Sequence, residues 1–336
     1  MVIQKFINRK NQIFQKKRKV KLSKKEKLII GSRSSDLAMW QAKFVKKELE
    51  KAHKNLTVEI KEIKTKGDKI LDVALSKIGD KGLFTKELEI MLLDGEIDIA
   101  VHSLKDLQTE IPKGLKLAAV TKRHEVEDVL IARKKGMTIE KLPVGCKVGT
   151  GSLRRRSQLK HLRPDIQVEE LRGNVPTRIK KFLESDWEAI ILARAGVERL
   201  KLKKHISSFI STDEMLPAVG QGALGIEIRN DNKFAEKMVK VLHDENTYCC
   251  ALAERALLKT LEGGCQVPIG AHAVVKPGGL FLDGMVGSLD GTITFRKKIK
   301  GKKSDAEKIG KQLAKDLKKA GAKEVLDEIY KSARSK

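Results

Sequence analysis

Hydrophobic residues recur along this chain at two spacings, every second residue and every third to fourth, and the two alternate. Ile97, Ile99 and Val101 alternate with Asp98, Ala100 and His102, and their β-branching predicts a short strand that empties into the polar turn Ser103-Leu104-Lys105-Asp106. Before it, residues 27–30 predict an apolar strand, 31–36 a turn, and Leu37, Trp40, Phe44, Val45 and Leu49 a helix. Residues 57–63 alternate as a second strand, and Phe84, Leu88, Met91 and Leu92 recur at helical spacing as a core-facing stripe. Residues 115–119 and 128–132 read as strands around a charged crossover, 121–127, where a hinge or a change of domain fits.

The theme then repeats. A strand opening at Lys147 runs into Gly149-Thr150-Gly151 and a helix capped by Ser152, 166–171 leads to a helix near Val175, and 189–193 leads to a short helix holding Arg199. The 217–222 loop returns the chain to its first half, where 223–228 rejoins as a strand. The last third differs in character: a helix over 252–261, a glycine-rich loop over 262–268, strands between 272 and 295, and a Ser304/Glu307 capping box opening a helix through 320. Strands alternating with helices make the fold class α/β.

Candidate chemistry gathers where strands end. In open α/β sheets the carboxyl ends of the strands face the crevice that binds ligands, so Lys105 and Asp106 are candidates for chemistry. A solvated ion pair in a turn is the plainer alternative, equal in weight on position alone. Arg33 and Ser35 stand at a helix start that attracts anions, although helix capping accounts for some of these hydroxyls. The 64–82 connection, with Gly67, Gly79 and Gly82, suits a lid from which Lys77 and Lys81 could reach a ligand, and it lacks the spacing of a Walker loop. Arg154 and Arg155 occupy a first helical turn, where a cation costs about a few tenths of a kcal/mol, a cost that a bound anion would offset. Gly149-x-Gly151 is too short to be a dinucleotide signature. With Arg178 and Arg199, three basic helix starts are expected to face one crevice. Cys265 is a loop thiol beside it, either a bystander or a point of covalent attachment.

Composition narrows the partner. The chain has 336 residues and a net charge of +26, and residues 1–27 carry eleven Lys or Arg against the single acid Glu26. That arm reads as a mobile basic extension. Ten of the seventeen arginines fall between Arg123 and Arg199, several beside glycine, and forks so placed suit carboxylate or phosphate. The expected ligand is a polyanion. An aromatic content of 4% argues against stacking platforms for nucleic acid. No apolar run is long enough for a membrane span and the amino terminus lacks a secretory pattern. The expected compartment is the cytoplasm, with organelle import by the basic arm the alternative. Cys146, Cys249, Cys250 and Cys265 show neither a disulfide framework nor a metal-site spacing.

Five motifs in register, His102–Asp106, Gly149–Arg155, Leu171–Arg178, Leu216–Gly222 and Glu262–Gly270, resemble those of the porphobilinogen deaminases, or hydroxymethylbilane synthases, from about residue 29 onward. The resemblance implies three domains: 28–121 with 223–240, then 127–216, both like lobes of type II periplasmic binding proteins, and a smaller α+β domain over 245–333. It implies a transferase of tetrapyrrole biosynthesis that deaminates and joins four porphobilinogen molecules head to tail into hydroxymethylbilane, working as a monomer. It further implies a dipyrromethane cofactor on Cys265, held with Lys105, Asp106, Ser152, Arg154 and Arg155. Arg33, Ser35, Arg172, Arg178 and Arg199 would bind substrate, Lys77 and Lys81 would lie on a mobile loop, and Asp106 would be the catalytic acid. Because Lys105 favours the charged form of Asp106, a proton-donating role would draw on other surroundings. Gly151 departs from a serine and Gln108 from a proline common in that family. A periplasmic anion-binding protein and a nucleic-acid-binding protein are the rival classes; the first would need an export signal, and the second would not confine its arginines to glycine turns.

Overall fold

The computed structural model describes residues 26–65, 82, 84–262 and 267–334. The basic arm over 1–25, the connection with Lys77 and Lys81, and the segment with Cys265 lie outside the described residues. Strands β1 (Glu26–Arg33), β2 (Leu56–Ile63), β3 (Ile99–Ser103) and β4 (Leu115–Val120) begin one sheet, and β5 (Asp128–Ala132), β6 (Lys147–Gly149), β7 (Gln167–Glu169), β8 (Ala189–Ala193) and β9 (Ser208–Ile210) form a second, in the order β7-β6-β8-β5-β9. Strand β10 (Leu224–Arg229) then returns to the first sheet, which reads β2-β1-β3-β10-β4. Each sheet therefore has a parallel half and one antiparallel strand in the fourth place, β10 in the first and β5 in the second. The chain crosses between the sheets twice, over 121–127 and 211–223.

Buried branched side chains explain the sandwich. Helix α1 (Asp36–Ala52) packs Ala42, Val45 and Leu49 on Leu28, Ile30, Val101 and Ile226 across one face of the first sheet. Helix α2 (Lys86–Leu93) covers the other face with Leu88 and Leu92. Trp40 and Phe44, on the expected helix, lie at the edge of its buried face, where their rings stack with centroids 5.5 Å apart. The turn expected over 31–36 is shorter than that, because β1 continues through Gly31, Ser32 and Arg33 paired with Lys61, Glu62 and Ile63. Gly31 serves packing: a Cβ there would stand 2.3 Å from Cδ1 of Ile97. Helices α3 (Leu153–Leu162), α4 (Val175–Glu184) and α5 (Arg194–Arg199) complete the second lobe, and α6 (Lys233–Val239) completes the first. With its two lobes of this plan and a smaller third body, the α/β fold class is as expected.

The third body is helix α7 (Glu245–Thr260) packed with a three-stranded antiparallel sheet, β11 (Ile269–Lys276), β12 (Gly279–Gly287) and β13 (Thr294–Gly301). Helix α7 begins well before the expected residue 252, because the Asp244 side chain accepts from the amide of Thr247 at 2.8 Å. The Ser304/Glu307 capping box does not form. Helix α8 (Ala306–Leu317) follows a 3₁₀ turn with no side-chain cap, and Glu307 pairs instead with Lys311 at 2.6 Å. That helix ends close to the expected residue 320, but it is not the last, since Gly321 (φ 110°) turns the chain into α9 (Lys323–Arg334). The third body docks on both crossovers through Glu254 of α7, which is fully buried. Its carboxylate accepts from Arg123 at 2.6 and 3.1 Å, from the amide of Gly220 at 2.7 Å and from that of Ala273 at 2.7 Å.

Candidate active site

Strand β3 ends in one 3₁₀ turn, Leu104–Asp106, whose Leu104 is buried while Asp106 is exposed. The buried leucine pins the turn and leaves the Lys105-Asp106 pair at the carboxyl end of the strand. Asp106 shares a pocket with Arg33, Ser35, Gln41, Phe84 and Ser103. The Arg33 guanidinium lies over the Phe84 ring at 4.2 Å, an arrangement that holds the cation in place. Ser35 caps α1, accepting from the amide of Ala38 at 3.4 Å, so the capping reading of that hydroxyl holds. Ser103 accepts a 2.7 Å bond from the Gln41 side chain.

A second cluster faces this pocket from the other lobe, organised by a residue that the sequence reading used only as the start of a strand. Asp128 is fully buried; Arg154 Nη2 approaches it at 2.9 Å, Arg155 Nη2 at 2.8 Å and Gln221 Nε2 at 2.9 Å. Burial alone would push its carboxyl up, but the two guanidiniums outweigh burial and hold it well below the usual carboxylate range. The two cations in the first turn of α3 therefore have a resident anion. Ser152 caps that helix by accepting from the amide of Arg155. Arg154 also donates to the carbonyl of Leu216 at 2.6 Å and Arg155 to that of Ile191 at 3.0 Å.

Gln221 joins the two clusters. Its Oε1 accepts from Lys105 at 3.4 Å while its amide nitrogen donates to Asp128 and to the carbonyl of Val126. Burial brings the Lys105 ammonium down to about 8, with Asp106 acting against it and Arg155 reinforcing it. Arg178 donates to the carbonyl of Gly173 at 2.7 Å, and burial followed by the charges of Arg155 and Arg172 brings it to about 10. Asp106 opposes that shift, so Asp106, Lys105, Arg155, Arg172 and Arg178 act on one another across the cleft. Arg172 is also paired with Glu170 at 2.6 Å.

Arg199 stands apart. It closes α5 rather than opening it, donates to the carbonyl of Gly222 at 2.7 Å and lies 5.5 Å from the Trp40 ring, and burial alone lowers it to about 10. The third expected basic helix start is thus a post between the lobes. The sequence reading missed Asp128, Gln221, Glu254 and Gln158, whose Oε1 accepts from the amide of Leu216 at 2.7 Å. Only the neighbourhood of Gln221 in a glycine loop offered any signal. At the base of the 263–266 segment, Glu262 has a left-handed φ of 58°, and its carbonyl accepts from the Tyr330 hydroxyl at 2.8 Å.

The donor set fits a polycarboxylate. Buried Nε atoms of Arg154, Arg155 and Arg199 have no hydrogen-bond partner among the described residues, and such donors are costly unless an anion meets them. Among the described residues no helix is long and apolar enough to cross a membrane.

Comparison with known proteins agrees. The model of the "porphobilinogen deaminase, dipyromethane cofactor binding domain" matches residues 28–237, and that of the "porphobilinogen deaminase, C-terminal domain" matches 248–319. Porphobilinogen deaminase of Chloroherpeton thalassium is 53% identical over 309 residues, 91% of this chain and 98% of its own. That of Carboxydothermus hydrogenoformans is 50% identical over 309 residues, 92% of this chain and 99% of its own. The solved methionine-binding protein MetQ is 14% identical over 66% of this chain and 92% of its own, with a TM-score of 0.42. Identity of this extent, end to end across both matched models, puts the chain in the porphobilinogen deaminase family.

Proposed function

We propose that the cleft between the two lobes binds the acetate and propionate groups of successive pyrrole units through Arg33, Ser35, Arg172 and Arg178, while Asp106 manages the charge created when each unit loses its amine. The family's reaction polymerises porphobilinogen with a dipyrromethane cofactor. The chain's residues supply what that reaction needs. Loss of ammonia from an aminomethyl pyrrole leaves a cationic methylene-pyrrole, and an exposed carboxylate beside it stabilises that cation. The same carboxylate then accepts the α-proton that the attacking pyrrole gives up when the new carbon–carbon bond forms.

Lys105, Ser152, Arg154 and Arg155, with Asp106, are the residues we assign to holding the cofactor; the buried Nε atoms of Arg154 and Arg155, without a hydrogen-bond partner among the described residues, suit its carboxylates. When bound, the cofactor supplies the primer on which chain growth starts. Cys265 is assigned as its attachment point, and the left-handed Glu262 at the base of that loop and the buried Val267 beyond it fix the loop's ends. Arg199 is assigned to substrate binding only through its neighbours, since it acts by holding Trp40 and Gly222. We assign the protein to the cytoplasm and to a monomeric state, and the three units to 28–121 with 223–240, 127–216 and 245–333.

The observation that carries this reading is the placement of Asp106 in one pocket with Arg33 and Ser35, next to Lys105, which reaches the Asp128 cluster of the other lobe through Gln221. Asp106→Asn is expected to keep the mass of a covalent dipyrromethane but to lower turnover about 10²- to 10⁴-fold. Cys265→Ala is expected to give a chain of bare polypeptide mass. Normal turnover in the first, or an adduct in the second, would sink the corresponding assignment.

A further inference from the structure

Behind the Asp106 pocket lies a buried acid–base cluster that the mechanism above leaves unused. His102 and Glu227 are 5% and 0% exposed, and His102 Nε2 lies 3.1 Å from Glu227 Oε2. Glu89 of α2, 6% exposed, packs against the same face of the sheet, where burial first and the charge of Glu227 next push its carboxyl above the ordinary range. His102 and Thr85 form part of the wall of the pocket that holds Asp106 and Arg33. One oxygen of Glu227 is buried with no hydrogen-bond partner among the described residues, whereas the Thr85 hydroxyl lies against the Glu89 carboxylate and acts against that rise. A buried carboxylate with an unmet oxygen is costly to keep, and here it is spent on a histidine in the wall of the pocket.

We propose that His102, oriented by Glu227, is the proton donor to the leaving amine of the substrate. The proposal rests on the pocket at Asp106 being the site of reaction. In the tautomer that carries hydrogen on Nε2, His102 donates to Glu227 and leaves Nδ1 for a second partner, the arrangement in which a carboxylate orients a catalytic imidazole. A donor is needed because the carbon–nitrogen bond of a neutral amine breaks readily only when the nitrogen gains a proton. Asp106, exposed at the end of β3, takes up the proton of the attacking pyrrole. The two roles fall to two groups in different surroundings.

The step balances. Nδ1–H passes its proton to the amine nitrogen, and the carbon–nitrogen bond breaks with its electron pair leaving as ammonia. The cationic methylene carbon is attacked by the α-carbon of the terminal pyrrole of the growing chain, which loses its proton to Asp106. Asp106 releases that proton to solvent at the pocket mouth, and His102 recovers one there. Glu227 is a positioning residue in this scheme.

The charged groups that face His102 are Glu227 on β10 and Glu89 on α2, with Glu87 beside Glu89, and Arg33 and Asp106 line the same pocket. The test is the pH profile of kcat on holoenzyme with porphobilinogen. His102→Gln is expected to retain the dipyrromethane mass, lower kcat at least about 100-fold and lose the alkaline limb. Glu227→Gln is expected to move that limb to lower pH by about one unit, since removing the carboxylate disfavours the imidazolium; a limb belonging to Lys105 would not move. Wild-type kcat in His102→Gln, or a fall with the limb intact, would overturn the proposal, and if Glu227→Gln does not fold the His102 variant decides alone. Full activity in Asp106→Asn would instead defeat the site itself, which separates the two failures.

Discussion

Asp128 shows how one buried side chain can set the charge of a whole cleft. Two guanidiniums in the first turn of a helix repel each other and oppose the helix dipole, and Asp128 holds both within 3 Å contacts while the helix places them at the cleft. Removing a partner from a buried ion pair costs about 3–5 kcal/mol, because the remaining charge is left uncompensated. Asp128→Asn is therefore expected to melt well below the wild type at neutral pH. The sign of the pH dependence follows from the depressed carboxyl. Its folded value lies below its unfolded one, so the stabilisation is complete above about pH 4 and is lost as the pH falls further. Melting temperature against pH should drop more steeply below that point in the wild type than in Asp128→Asn, and parallel curves would remove Asp128 from this role.

At the scale of elements, the crossover loops carry the tightest constraints. Gly222 sits at φ 90°, a Cβ on it would stand 2.6 Å from the carbonyl oxygen of His124, and its own carbonyl accepts from Arg199 and from the amide of His124. Gly145 has φ 70° with open space around it. Gly145→Ala should thus cost only the left-handed penalty, about 1–2 kcal/mol, whereas Gly222→Ala must also push the two crossovers apart. A thermal melt of both variants checks this, and equal losses would show that the close approach is unimportant. Such contacts mark the limit of what a sequence reveals. Alternation and apolar spacing located β2, β3, β5 and α1 because each buries one face in a regular pattern. Gly31 looked like a turn because a glycine needed for close packing and one needed for a turn are the same letter. Ser304 and Glu307 had the right spacing for a capping box, but Lys311 competes for Glu307 on the helix surface. Lys105, Asp106, Arg154 and Arg155 stood out by type and position. Asp128 and Glu254 did not, since their partners lie tens of residues away.

The whole molecule converges on Glu254. Each of its two oxygens accepts one guanidinium nitrogen of Arg123 and one backbone amide: Oε1 takes Nη1 and the amide of Ala273, Oε2 takes Nη2 and that of Gly220. Arg123 also donates through Nε to the carbonyl of Gln221 at 2.8 Å, and Gln221 reaches both Lys105 and Asp128. One carboxylate therefore ties both crossovers to β11 and is two residues removed from the catalytic turn. Glu254→Gln keeps the shape and removes the charge. Whichever way the amide turns, its NH₂ meets two donors, so two bonds are lost and two buried groups are left unpaired. A loss of about 3–5 kcal/mol follows, felt at the junction of three bodies rather than inside any one core. Calorimetry should show a transition that is lower and broader than in the wild type, because the bodies no longer unfold together. Turnover at 25 °C should be less affected than melting, since Asp106, His102 and the Asp128 cluster keep their own contacts. A single sharp transition at the wild-type temperature would mean that the junction is held by apolar packing and that the carboxylate is dispensable.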